Sequence, residues 1–147
     1  MIDRGVLPTL FTLARSLDVT SQRYATLAML NLSMGSGDDK SHIIDAGAVR
    51  PLMFLARFPD MEIQRYAALA LAALALGGHR EGKNKTLIVE AGAMRPLVEL
   101  ARFPDKEVQH TALLAMTAIG LGEDEATKLS VLQEKVSWKN NLCCVCR

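Results

Sequence analysis

Aromatic side chains make up only 5% of the 147 residues, with Trp138 the single tryptophan. A chain so poor in aromatics and rich in Leu and Ala favours helices packed through small side chains over sheets. No stretch is dominated by one sign of charge. The 17 basic and 16 acidic residues are interspersed and sum to +1, so no basic stripe exists to neutralise a row of phosphates, and nucleic acid is excluded as the expected partner. Long apolar runs are absent too: the longest, Tyr66 to Leu76, spans 11 residues, against the roughly 20 that cross a bilayer as a helix. The opening Met1-Ile2-Asp3-Arg4 has neither an apolar signal segment nor a glycine at the second position, which argues against secretion and myristoylation and for the cytoplasm or nucleus. Cysteine occurs only as Cys143, Cys144 and Cys146, an order without the paired spacing and fourth ligand of a structural zinc site. The histidines, His42, His79 and His110, stand in no nucleophile-and-base signature, so neither an enzyme, a metal site nor a cofactor is expected.

What the chain does have is self-similarity. Asp45-Ala46-Gly47-Ala48-Val49-Arg50-Pro51-Leu52 returns as Glu90-Ala91-Gly92-Ala93-Met94-Arg95-Pro96-Leu97, and Leu55 to Asp60 returns as Leu100 to Asp105, both at an offset of 45. A fainter copy, Asp3 to Tyr24, aligns with Asp45 to Tyr66 at an offset of 42. A fixed period of this size marks a stack of helical units in which each copy covers its neighbour's apolar face. The reading is three copies, at 1–41, 42–82 and 83–122, then the first helix of a fourth at 123–134 and a divergent, disordered tail at 135–147. That ending, which matches no copy, suggests a fragment or a short isoform.

Punctuation divides each copy into three helices. Gly5, Gly47 and Gly92 are placed to end a short first helix in the left-handed conformation. Pro51 and Pro96 suit the first turn of a second helix. Pro59-Asp60 and Pro104-Asp105 end that helix, and each Asp is placed to cap a longer third helix with Glu62 or Glu107 in its first turn. From Ala67 to Leu76 this third helix is apolar nearly all round, as expected of the spine of the stack. Gly77-Gly78-His79-Arg80-Glu81-Gly82-Lys83-Asn84 nearly spells a phosphate loop, but Asn84 replaces the required hydroxyl and no strand precedes it, so an inter-repeat loop is expected.

The unit of short, middle and long helices, with Ala-Gly-Ala-x-x-Pro-Leu and then Gln22-Arg23-Tyr24-Ala25-Thr26-Leu27-Ala28-Met29-Leu30-Asn31-Leu32, resembles the armadillo repeat family of β-catenin, importin-α and the vacuolar armadillo adaptors. HEAT repeats are the structural rival, and the Ala-Gly-Ala turn favours armadillo. The resemblance implies an all-α, right-handed α-solenoid acting as a protein-binding scaffold. In the family, third helices line a concave groove where an Asn bonds an extended peptide's backbone. The matching positions are Asn31, Ala73 and Ala118. Importin-α has Trp four residues earlier, where this chain has Leu27, Leu69 and Leu114, so the departures argue against binding of nuclear-import signals. One turn further back stand Arg23, Arg65 and His110, each preceded by Gln. Their positive character leads to the expectation of an extended, acidic or mixed acidic-apolar segment of another protein as ligand. Arg15, Arg57 and Arg102 form a second ladder, expected to satisfy carbonyls at the ends of the second helices. The alternative is a structural adaptor tethered to an organelle membrane by lipid on Cys143, Cys144 or Cys146.

Overall fold

The computed structural model describes residues 5–76 and 80–120, and every regular element among them is a helix. The first copy contributes α1 (Val6–Leu13) and α2 (Val19–Ser33), the second α3 (Gly37–Asp45), α4 (Val49–Leu55) and α5 (Met61–Ala75), and the third α6 (Glu81–Glu90), α7 (Met94–Ala101) and α8 (Lys106–Gly120). The chain folds as an α-solenoid. The expected fourth-copy helix, the tail at 135–147 and the three cysteines lie outside the described residues.

The helix boundaries follow from local chemistry. Asp18, Asp60 and Asp105 each accept backbone N–H groups in the first turn of a long helix: Ser21 N to Asp18 at 2.8 Å, Ile63 N to Asp60 at 3.0 Å and Val108 N to Asp105 at 2.9 Å. These bonds satisfy donors that have no partner within the helix. Gly47 and Gly92 adopt φ of 89° and 87° between the first and second helices, as their spacing predicted. Gly5 does not. It precedes α1 at φ −79°, in the right-handed region, so its backbone angle does not call for glycine. Pro51 and Pro96 fall in the first turns of α4 and α7. The first helix of the second copy begins at Gly37, behind Ser36, which shares a capping box with Asp39. It therefore includes residues 37–41, assigned by the sequence reading to the preceding copy, and His42 stands in its last turn.

Helix α5 is the spine. It packs against α2 on one side and α8 on the other, with α4 and α6 also laid on it. Ile63, Ala67, Ala68, Ala70, Leu71, Leu74 and Ala75 are all buried, because the alanines let neighbouring backbones approach from several directions. The core continues through Met29, Ile43, Leu52, Leu55, Ile88, Leu97, Val108 and Ile119, each completely or almost completely buried. At roughly 1.5–3 kcal/mol for each large side chain removed from water, this shared core is what no single copy could assemble.

A repeated glutamine joins the second and third helices of every copy. Gln22, Gln64 and Gln109 donate through Nε2 to the carbonyls of Ser16, Phe58 and Phe103 at 2.8, 2.8 and 2.6 Å. Each bond spans six residues and ties the long helix to the turn that precedes it. Within the near-phosphate-loop segment, Glu81 to Asn84 form the first turn of α6, and Asn84 is buried, with Nδ2 3.5 Å from Ser41 Oγ of α3. Gly77 to His79 lie outside the described residues.

Candidate functional site

The third helices α2, α5 and α8 lie side by side, so positions repeated at offsets of 42 and 45 form rows across them. The row Leu27, Leu69 and Leu114 carries three leucines on the uncovered side, the first two half-buried and Leu114 49% exposed. Toward the helix C-termini, Asn31 is exposed, Ala73 is half-buried and Ala118 is buried. Ala118 thus backs this surface and offers little of its own. Toward the N-termini, Arg23 and His110 are exposed, Arg65 is half-buried and Tyr24 stands well out into solvent. The nine residues expected to form a partner-binding face are brought onto adjacent helices, eight of them with accessible surface.

The arginines of this face are already engaged. Arg23 Nη2 lies 2.6 Å from Asp60 Oδ2, and its Nε lies 3.0 Å from Glu62 Oε2. Arg65 Nη1 lies 2.7 Å from Glu107 Oε2. Each arginine on one third helix therefore meets carboxylates at the start of the next, and the same relation occurs at both junctions. The Asp60 hydrogen bond raises the Arg23 guanidinium above its ordinary range, against the opposing effect of burial. Burial alone would raise the Asp60 carboxyl, yet the Ile63 N–H and the Arg23 guanidinium outweigh it and hold Asp60 below the usual carboxylate range. The expectation of uncompensated positive charge fails for Arg23 and Arg65: they stitch adjacent copies together, and an acidic ligand must compete with carboxylates within about 3 Å. Reading the arginine ladder without its acids missed this. The signal was present in Glu62 and Glu107, which recur at the same offset as the helices themselves.

The second arginine ladder also differs from expectation. Arg57 bonds no helix carbonyl; its Nε lies 3.2 Å from Glu99 Oε2 of α7. Arg80 ahead of α6 pairs with Asp45 at 2.9 Å. A carbonyl partner of the expected kind does exist elsewhere, where Lys40 of α3 donates to the Leu76 carbonyl that caps α5. Among the described residues no cluster of His, Cys, Asp and Glu could hold a metal ion, and no helix is long and apolar enough to cross a membrane.

With this architecture in view, the comparisons with known proteins agree. The armadillo/β-catenin-like repeat matches residues 38–75 and 83–117, the two copies described with all three helices. Among solved structures, an engineered protein superposes with a TM-score of 0.81 at 30% identity, over 92% of this chain and 53% of its own. A designed armadillo repeat protein superposes with a TM-score of 0.80 at 26% identity, over 88% and 52%. Another, solved in complex with the peptide (KR)4, does so with a TM-score of 0.81 at 27% identity, over 88% and 53%. The chain spans about half the length of each of these structures. No curated protein matches it in sequence. The fold and its repeated helices define an α-solenoid of the kind that serves as a non-enzymatic scaffold. More particularly, the chain is an armadillo repeat protein.

Proposed function

We propose that the chain is a protein-binding scaffold, without enzymatic activity of its own, that holds an extended segment of another protein along the face formed by α2, α5 and α8. The observation that carries this reading is the row Leu27, Leu69 and Leu114, three bulky apolar side chains left accessible at one register of three adjacent helices. Neighbouring Asn31 is exposed and offers an amide to a peptide backbone. That a structurally similar designed armadillo repeat protein was solved in complex with the peptide (KR)4 supports peptide binding by this architecture.

The ligand is of mixed acidic-apolar character, with the apolar side chains supplying most of the affinity. Each acidic side chain reaches Arg23 or Arg65 only by sharing it with Asp60, Glu62 or Glu107, and shared, partly exposed ion pairs contribute at most about 1 kcal/mol. Salt should therefore weaken binding only slightly. The same reading sets the chain at work in the cytoplasm or nucleus, which fractionation of cells expressing it would check.

Selection of displayed random peptides tests the assignment. Enriched sequences should alternate apolar and acidic residues, and should lose binding to Leu69→Lys and Leu114→Lys variants whose helical content is unchanged. Failure to recover any sequence that loses binding to both variants would remove the third-helix face as a site.

A further inference from the structure

A different cleft lies between α1 and α4, on the second helices. It is an open cleft of about 790 Å³ lined by Phe11, Leu13, Leu17 and Pro51 together with the guanidinium-bearing Arg15 and Arg50, and no carboxylate is among its lining residues. Three comparisons with the next junction show why it is open here. Between α4 and α7, Arg57 is paired with Glu99. The position that corresponds to Glu99 one copy earlier is Phe54, so Arg15, the counterpart of Arg57, has no acid at the matching place among the described residues. At the second junction the Met53 side chain reaches to 3.8 Å from where a Cβ on Gly92 would stand, whereas the same space beside Gly47 has nothing within 4 Å. Finally, Leu13 is 41% exposed, although its counterparts Leu55 and Leu100 are buried. Leu17, in the turn after α1, is fully exposed.

We infer that the cleft between α1 and α4 is a second protein-docking site, taking a short segment in which acidic residues flank a bulky apolar side chain. Charge complementarity selects that chemistry. Two guanidiniums without a bonded carboxylate among the described residues can each take an acid in charge-assisted, bidentate geometry. The apolar wall of Phe11, Leu13, Leu17 and Pro51 lies beside them and favours a Leu or Phe side chain over a wholly charged peptide. The arginines of the third-helix face are occupied by neighbouring acids, so an acidic ligand loses less by docking at Arg15 and Arg50. The site is independent of the proposed third-helix face, since its residues come from other helices.

The experiment uses the full chain and the fluorescein-labelled peptide acetyl-Glu-Asp-Leu-Phe-Glu-Asp-amide, followed by fluorescence anisotropy. Saturable binding should be lost in a peptide with Lys at every acidic position. It should weaken about tenfold or more in Arg15→Ala/Arg50→Ala, the loss expected when charge-assisted bonds are removed. Phe54→Glu gives a sharper test, because it places at the first junction the acid that occupies Arg57 at the second. Phe54 is exposed, so this variant should keep the parent's circular dichroism and melting temperature while binding the peptide as weakly as the double variant. Undiminished binding by Phe54→Glu and by Arg15→Ala/Arg50→Ala, or a loss confined to Leu69→Lys on the third-helix face, overturns the proposal, as does failure of the parent chain to bind.

Discussion

Leu69 and Leu74 belong to the same helix, and their substitution should separate stability from binding. On an α-helix five residues correspond to roughly 140° of rotation, which carries Leu74 into the stack and leaves Leu69 on its uncovered face. Leu74 is fully buried and Leu69 half-buried. Leu74→Ala removes buried methyl groups and leaves a cavity in a core shared by α2, α5 and α8, so the loss should be about 3–4 kcal/mol, within the range of buried Leu→Ala substitutions. Leu69→Ala removes the same atoms from a site already partly wet and should lose about 1 kcal/mol by area alone. Denaturant titration followed by circular dichroism, fitted with a common slope, gives both values. Peptide affinity measured on the same preparations should fall for Leu69→Ala and be unchanged for the folded fraction of Leu74→Ala. Equal destabilisation by the two substitutions would refute the orientation of α5 on which the binding face depends.

Asp60→Ala removes a carboxylate that caps α5 and pairs with Arg23; it should cost about 1 kcal/mol, mostly by loss of the cap, and Arg23→Ala should show coupling to it in a double-mutant cycle. The Asp60 and Asp45 carboxyls are both held below their ordinary range, so the folded state binds fewer protons there than the unfolded chain. Their stabilisation is present above the unfolded carboxylate range and is lost as pH falls through the lower folded values, so melts recorded downward from about pH 4 should show the steepest decline. Gly92→Ala should cost about 1–2 kcal/mol through backbone strain at positive φ, since the added methyl meets no atom closer than 3.8 Å. Thermal melts read this loss, and the same substitution at Gly5, where φ is negative, should be free of this backbone strain.

The elements legible in the sequence were those governed by neighbours within a few residues. Asp60 and Asp105, each following a helix-breaking Pro and preceding a helical run, read as caps, and Gly47 and Gly92 between two short helices read as left-handed turns. The register of Leu27, Leu69 and Leu114 came from the repeat period alone. The misread features depend on contacts across copies. Arg23 and Asp60 are 37 residues apart, and nothing in a single helix's periodicity says that the start of one long helix meets the flank of the one before it. Gln64 was legible as a recurring residue, but its bond to Phe58 depends on how tightly the second helix turns into the third. The cleft between α1 and α4 was hidden for a related reason. It is defined by a departure from the repeat, Phe54 in place of an acid, and a departure has meaning only once the junction it spoils has been seen intact elsewhere.

The third-helix face is tested most directly by nuclear magnetic resonance on uniformly ¹⁵N-labelled protein titrated with a peptide recovered from the display selection. Amide shifts should move along Leu27, Asn31, Leu69, Ala73 and Leu114 in sequence across α2, α5 and α8, with the resonances of α7 unmoved. Silence of α2, α5 and α8 on saturation with the peptide, wherever else shifts occur, would contradict the account.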